Sequence, residues 1–123
     1  METETVVFIT TETGADLILA FAVAGQDDPS TIESLILVRT PKYEFIVEEH
    51  ERGVRVSFER YEDEEDEFLQ KVEYASGEAI VRLQTTARKF ELDVRKVDPG
   101  ELNNMRKLLK LMNYDHKLQL SGV

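Results

Sequence analysis

The chain is 123 residues long, with 25 acidic and 15 basic side chains, a formal net charge of −10 and 41% apolar residues. A single domain, residues 1–123, is the natural count for this length, and such a chain buries about two thirds of the surface its unfolded form exposes. The absence of cysteine removes disulfides, thiolate nucleophiles and cysteine-ligated metal sites and fits a reducing, cytoplasmic setting, while the acidic total argues against nonspecific binding of nucleic acid or of anionic lipid.

The N-terminal stretch METETVVFIT lacks a basic region and a long apolar region, so it does not read as a secretory signal. Its residues 5–10 read as a first strand. A turn at residues 11–14 follows, with Gly14 free to take a positive φ. Residues 16–24 read as the central strand. Leu17, Leu19, Phe21 and Val23 alternate with Ile18, Ala20, Ala22 and Ala24, so both faces are apolar and both are expected to be covered. The alanine face suits the close approach of a helix. This run is also the longest apolar one, far below the ~20 residues that span a bilayer.

After the loop at residues 25–30, Ser30 and Glu33 have the spacing of a capping box, enough for one helical turn. The segment 34–59 then carries three apolar runs and a proline bend. Residues 35–38 read as strand. Pro41 lacks an amide donor and belongs at an edge or bend. Tyr43, Phe45 and Val47 alternate with charged residues and read as a further strand, closed by the charged turn 48–53. Val54, Val56 and Phe58 alternate with Arg55, Ser57 and Glu59, the clearest pattern of one face inward in the chain.

Residues 68–75, 78–85 and 89–97 read as three more strands, the first two joined by Ser76-Gly77, a hairpin signal. With the strand before them they form a meander. Asp98-Pro99-Gly100-Glu101 is a strong helix start. Leu102, Met105, Leu108, Leu109 and Met112 fall on one stripe, and Asn113 is suited to a left-handed cap. Residues 117–120 read as a last short strand.

The expected fold is therefore α+β and predominantly antiparallel. It has seven or eight strands in a curled, meander-type sheet and one C-terminal amphipathic helix packed on one face, nearest Ala20, Ala22 and Ala24. A partly open β-barrel is the alternative. The inward strand positions form the core, Phe8, Phe21, Phe45, Phe58 and Phe90 among them.

Charge is unevenly spread. Residues 1–67 hold 18 acids and 5 bases, a balance of −13, and residues 68–123 hold 7 acids and 10 bases, a balance of +3. The loudest feature is the run Glu62, Asp63, Glu64, Glu65, Asp66 and Glu67. Consecutive acids in an extended loop point apart, and the run lacks the spacing of a calcium loop, so it does not read as a metal site. It reads as a solvated loop or as an electrostatic patch for a basic protein partner. The basic helix edge of Arg106, Lys107 and Lys110 complements the helix dipole and offers a mate for the acidic run of a second copy, a route to a homodimer.

Arg39, Tyr43, Arg55, Tyr61, Tyr74 and Arg82 are spread over several strands. In a strongly curled sheet they would line a pocket for an anionic small molecule; the plainer reading is cross-strand pairing of arginine with glutamate. His50 sits among four charged neighbours and His116 follows the helix, and neither has a serine nucleophile in a recognisable frame. Serine-hydrolase, zinc-protease and nucleotide-binding spacings are absent, so no catalytic residue, cofactor or metal is assigned. The function these features favour is a non-enzymatic interaction or self-associating module, with a Tyr- and Arg-lined small-molecule site as the second reading.

Overall fold

A computed structural model describes residues 2–61 and 67–123. Its strands are β1 (Thr3–Thr13), β2 (Leu17–Ala24), β3 (Ile32–Arg39), β4 (Arg55–Phe58), β5 (Glu67–Ala75), β6 (Ile80–Thr85), β7 (Lys89–Asp93) and β8 (Gln119–Ser121), with one helix, α1 (Pro99–Met112). The sheet order is β4-β3-β2-β1-β7-β6-β5-β8, and a further pairing joins β4 to β5. The first seven strands thus close into a ring, and β8 pairs with β5 beyond the point where β4 leaves it. The fold is α+β. Its sheet curls far enough to form a partly open barrel. Successive strands from β4 to β7 pair antiparallel, as the meander required. The parallel contacts are β1 with β7 and β5 with β8.

Strand alternation sets the inside of the ring. Leu17, Leu19, Phe21 and Val23 are buried on β2, Leu35 and Leu37 on β3, and Val56 and Phe58 on β4. Each such side chain is worth roughly 1.5–3 kcal/mol relative to exposure. Asp98 caps α1 by accepting the Gly100 amide at 2.7 Å, and Pro99 opens the first turn. Met105, Leu108, Leu109 and Met112 join the same core as the large residues of β2, with Leu102 partly buried against it. β7 pairs with β1 only at residues 3–5, so further along that edge the Ile9 amide has no strand partner and donates to Glu101 of α1 at 2.7 Å. The helix occupies the place where β1 and β7 part.

Several expectations fail for identifiable reasons. The strand expected around Tyr43–Val47 is instead a 3₁₀ turn, Pro41–Ile46, because proline at its first position fixes a helical φ. Phe45, expected in the core, is 77% exposed. Phe8 is also exposed: a bulge between Val6 and Phe8 slips the alternation, so that Val6 and Ile9 point inward. The helix does not lie on the alanine face of β2; it packs on the leucine face, and the alanines point away from it. β3 begins at Ile32 with no helical turn before it, since Asp28 accepts from the Ser30 amide and hydroxyl in a tight turn. Asn113 is not left-handed (φ −93°); the positive φ falls at His116, while the Asn113 side chain exchanges hydrogen bonds with the Leu118 backbone.

Candidate interaction surface

The register of β1 to β4 builds an outward face row by row. Phe8, Ala22 and Ser34 align in one row; Thr10, Ala20, Ile36 and Ser57 in the next; Glu12, Ile18, Val38 and Arg55 in the third. Inward neighbours such as Leu19, Phe21, Leu35 and Leu37 are fully buried, whereas Ile18, Ala20, Ile36 and Val38 retain solvent contact and Phe8 is 42% exposed. Among the described residues no helix or strand packs over this face. Both faces of β2 are apolar, as its sequence shows; the fold covers the inner one fully and the outer one only at Ala22, which is 5% exposed.

Beside this face the chain leaves the sheet at residues 40–53. Its two 3₁₀ turns, Pro41–Ile46 and Glu49–Glu51, bury no residue. Tyr43, Phe45 and Ile46 are 54%, 77% and 67% exposed, and Glu48, Glu49 and Glu51 after them are exposed as well. Scattered apolar side chains are ordinary on a protein surface, but three in one turn form a patch, with Lys42 over the Tyr43 ring and Glu49 paired with Lys117 at 3.1 Å. A cleft of about 120 Å³ lined by Val38, Tyr43, Val47 and Arg55 joins this excursion to the outward sheet face.

Arg39 fixes the excursion. Its place on β3 points it inward at the end of the ring, where it is 2% exposed. The guanidinium forms paired hydrogen bonds with Glu44 at 2.8 and 2.9 Å and with Asp115 at 3.2 and 2.7 Å, and donates to the Met112 carbonyl at 2.8 Å. It also lies 4.2 Å from the Tyr114 ring centroid, and the Tyr114 hydroxyl donates to Glu44. Burial works to lower the Arg39 pKa, but the hydrogen bonds to Glu44 and Asp115 outweigh it and raise it further. Burial likewise works to raise Glu44, yet Arg39 and Tyr114 hold it below its ordinary value; Arg39 does the same for Asp115. Burial and the bond to Glu44 push the Tyr114 phenol up. Every donor of this arginine that the geometry assigns is spent within the fold.

The six residues expected around a ligand divide among different places. Arg39, Tyr43 and Arg55 line the same cleft as Val38 and Val47, with Arg55 stacked over Phe68 at 5.3 Å. Tyr61 lies in the turn Glu59–Tyr61, edge-on to Phe58 and under the Arg88 guanidinium. It lines a second cleft of about 380 Å³ with Arg60 and Phe90, where Arg60 is held by Glu4 and Glu33 at 2.6 and 2.8 Å. Tyr74 packs against the core under Arg106, and Arg82 sits on the outside of β6 between its cross-strand partners Glu73 and Glu91. That ladder is the ordinary arginine–glutamate pairing.

Glu62, Asp63, Glu64, Glu65 and Asp66 lie outside the described residues. Glu67 opens β5 and is engaged internally, by Arg88 and by the Thr85 hydroxyl. Arg106, Lys107 and Lys110 are exposed on α1, and His50 and His116 are exposed as well. Among the described residues no group of three or more His, Asp or Glu side chains is placed to hold a metal ion, and no helix is long and apolar enough to cross a membrane. Sequence reading missed Phe45 and Ile46 as surface anchors. Their signal was Pro41, which turns an alternating pattern into a 3₁₀ turn. Comparison with protein-family models, curated proteins and solved structures finds no match to this chain.

Proposed function

We propose that the protein is a non-enzymatic docking module for a basic protein partner. The observation that carries this reading is the excursion at residues 40–53: it turns Tyr43, Phe45 and Ile46 outward and runs on into the exposed acids Glu48, Glu49 and Glu51. Exposed aromatic and aliphatic side chains next to an acidic stretch fit a recognition site, where apolar contact gives affinity and charge gives rate and selectivity. The clamp at Arg39 supports it by holding the excursion against the end of α1, which spares a partner the cost of ordering a loop. The small-molecule reading has less support, because Arg39 and Arg82 of its three arginines are already paired with carboxylates and Arg55 lies over the Phe68 ring.

The test uses the polypeptide that co-purifies with the chain from its own cells. A basic partner whose retention falls at least tenfold between low and high salt, and again in the triple variant Glu48→Gln/Glu49→Gln/Glu51→Gln, is the expected result. Association indifferent to both salt and substitution contradicts the reading.

A further inference from the structure

The outward face of β1–β3 has a shape and a charge setting that point to its occupant. From Ala22 to Ile18 the face runs four residue steps along β2, about 13 Å at the rise of a strand. Across β1 to β4 it spans about 14 Å at the usual strand spacing. This footprint, on the order of 200 Å², fits one α-helix of about 10–12 Å diameter and falls well short of the ~800 Å² per partner that a stable dimer buries. Ala20 sits in its middle, with Ile18, Ile36 and Val38 around it, so the small side chain lies between longer ones; Ala22 beyond it is only 5% exposed.

Charge excludes the chain's own copy from this seat. Glu12 stands in the third row beside Ile18, and Arg55 at the β4 end of that row is the cation on the face; the acids at its borders outnumber it. Glu59 borders the Ser34 edge, where it accepts the Ser34 amide at 3.0 Å, and Asp16 borders the Val38 end through its bond to the Thr40 hydroxyl at 2.6 Å. Two copies meeting face to face would set these acids against each other, whereas lysine and arginine at the flanks of an apolar helix would meet them as opposites.

Resting on the docking reading proposed for the excursion, we infer that the outward face of β1–β3 seats an amphipathic helix of the basic partner. Its apolar stripe lies on Ala20, Ile36 and Val38, and its cationic flanks reach Glu12, Asp16 and Glu59. The cleft at Val38 and Tyr43 makes this seat continuous with the excursion, so one partner segment can lie on the sheet while a second engages Phe45 and Ile46.

The experiment is a titration of the isotopically labelled full chain, followed by amide chemical shifts, with an amphipathic Leu/Lys helical peptide of about 14 residues, which is ~21 Å long as a helix, and with its Leu/Glu counterpart. The expected result is that the Leu/Lys peptide shifts the amides of Ala20, Ile36 and Val38. Its binding weakens at least tenfold in Ile36→Lys, with circular dichroism verifying the fold. Should that variant not fold, Ser57→Lys serves instead, since Ser57 is exposed and lies beside Ile36 in the register. Shifts confined to residues 41–51 overturn the seat and leave the docking reading standing. Equal binding of the Leu/Glu peptide on the face overturns the cationic occupant and the docking reading together. No shift with either peptide overturns the inference, as do face amides that shift on dilution of the chain alone, which would make a second copy the occupant.

Discussion

Arg39 donates to the carbonyl oxygen of Met112 at 2.8 Å, tying the end of β3 to the last turn of α1 across 73 positions of sequence. The carbonyls of a helix's last turn lack partners within the helix, so this contact satisfies a group that would otherwise be stranded in a buried setting. The same guanidinium holds Glu44 of the excursion and Asp115 beyond the helix. Three separate stretches of chain therefore share one cation. Arg39→Ala leaves two half-buried carboxylates uncompensated, and removal of one partner from such a pair costs about 3–5 kcal/mol. Arg39→Lys keeps the charge but loses the forked geometry and is expected to recover only part of that loss. Urea unfolding measures both; a loss within about 1 kcal/mol for the alanine variant would deny the clamp its structural role.

The clamp also sets an acid limit. Glu44 and Asp115 are both held below their ordinary values in the folded chain. A depressed carboxylate contributes stability that is complete above its unfolded pKa, roughly 4.3 for Glu and 3.9 for Asp, and that fades as pH falls through the lower folded value. The melting temperature is expected to vary little from pH 7 to pH 5 and to drop below about pH 4. Glu33, which Arg60 holds low in the same manner, adds to the fall. The double variant Glu44→Gln/Asp115→Asn starts from a lower plateau and shows a shallower drop. Calorimetry from pH 3 to 7 checks this, and identical acid slopes for the two proteins would exclude these carboxylates as its source.

Two glycines predict opposite outcomes. Gly25 closes the β2–β3 connection with its amide 2.9 Å from the Thr31 carbonyl, and an added Cβ would lie 2.6 Å from the Asp28 carbonyl oxygen. Gly25→Ala is expected to cost about 1–3 kcal/mol through the backbone shift it forces. Gly14, in the turn between β1 and β2, has nothing within 4 Å of such a Cβ and is not at positive φ, contrary to the sequence expectation. Gly14→Ala should stay within about 0.5 kcal/mol of the parent. Equal effects in thermal melts would contradict this geometry.

Phe45 separates binding from folding. At 77% exposure it contributes little to the core, so Phe45→Ala is expected to leave the melting point within a degree or two, while loss of an aromatic anchor weakens partner retention tenfold or more, a cost of at least about 1.4 kcal/mol. A melting point lowered by many degrees would return Phe45 to the core and remove it from the docking surface.

The limits of the sequence reading are physical. The core stripe of α1 and the inward positions of β2, β3 and β4 were legible because burial imposes its period directly on residue type. Phe8 was not, since a single bulged position at Val7 reverses the facing of the next residues in β1, and bulges leave no compositional mark there. Tyr43 and Phe45 kept a strand's alternation although Pro41 had already committed them to a 3₁₀ turn. The sequence of β2 told that both faces are apolar but not which one the helix would take. The longer side chains won, since Leu19 and Phe21 remove more apolar area from water than Ala20 and Ala22. Of the candidate site, the acidity was plain in the composition. The Arg39 clamp was not, because Glu44, Met112 and Asp115 meet only when the ring closes over the helix.

The most direct test of the docking account is photo-crosslinking in the chain's own cells, with a photoreactive residue placed at position 45 in one strain and at the exposed Lys107 position on α1 in another. The account predicts a single adduct at position 45, identified by mass spectrometry as a basic polypeptide, with none at position 107. An adduct at position 107 alone, an adduct of the chain with itself, or no adduct at position 45 would contradict it.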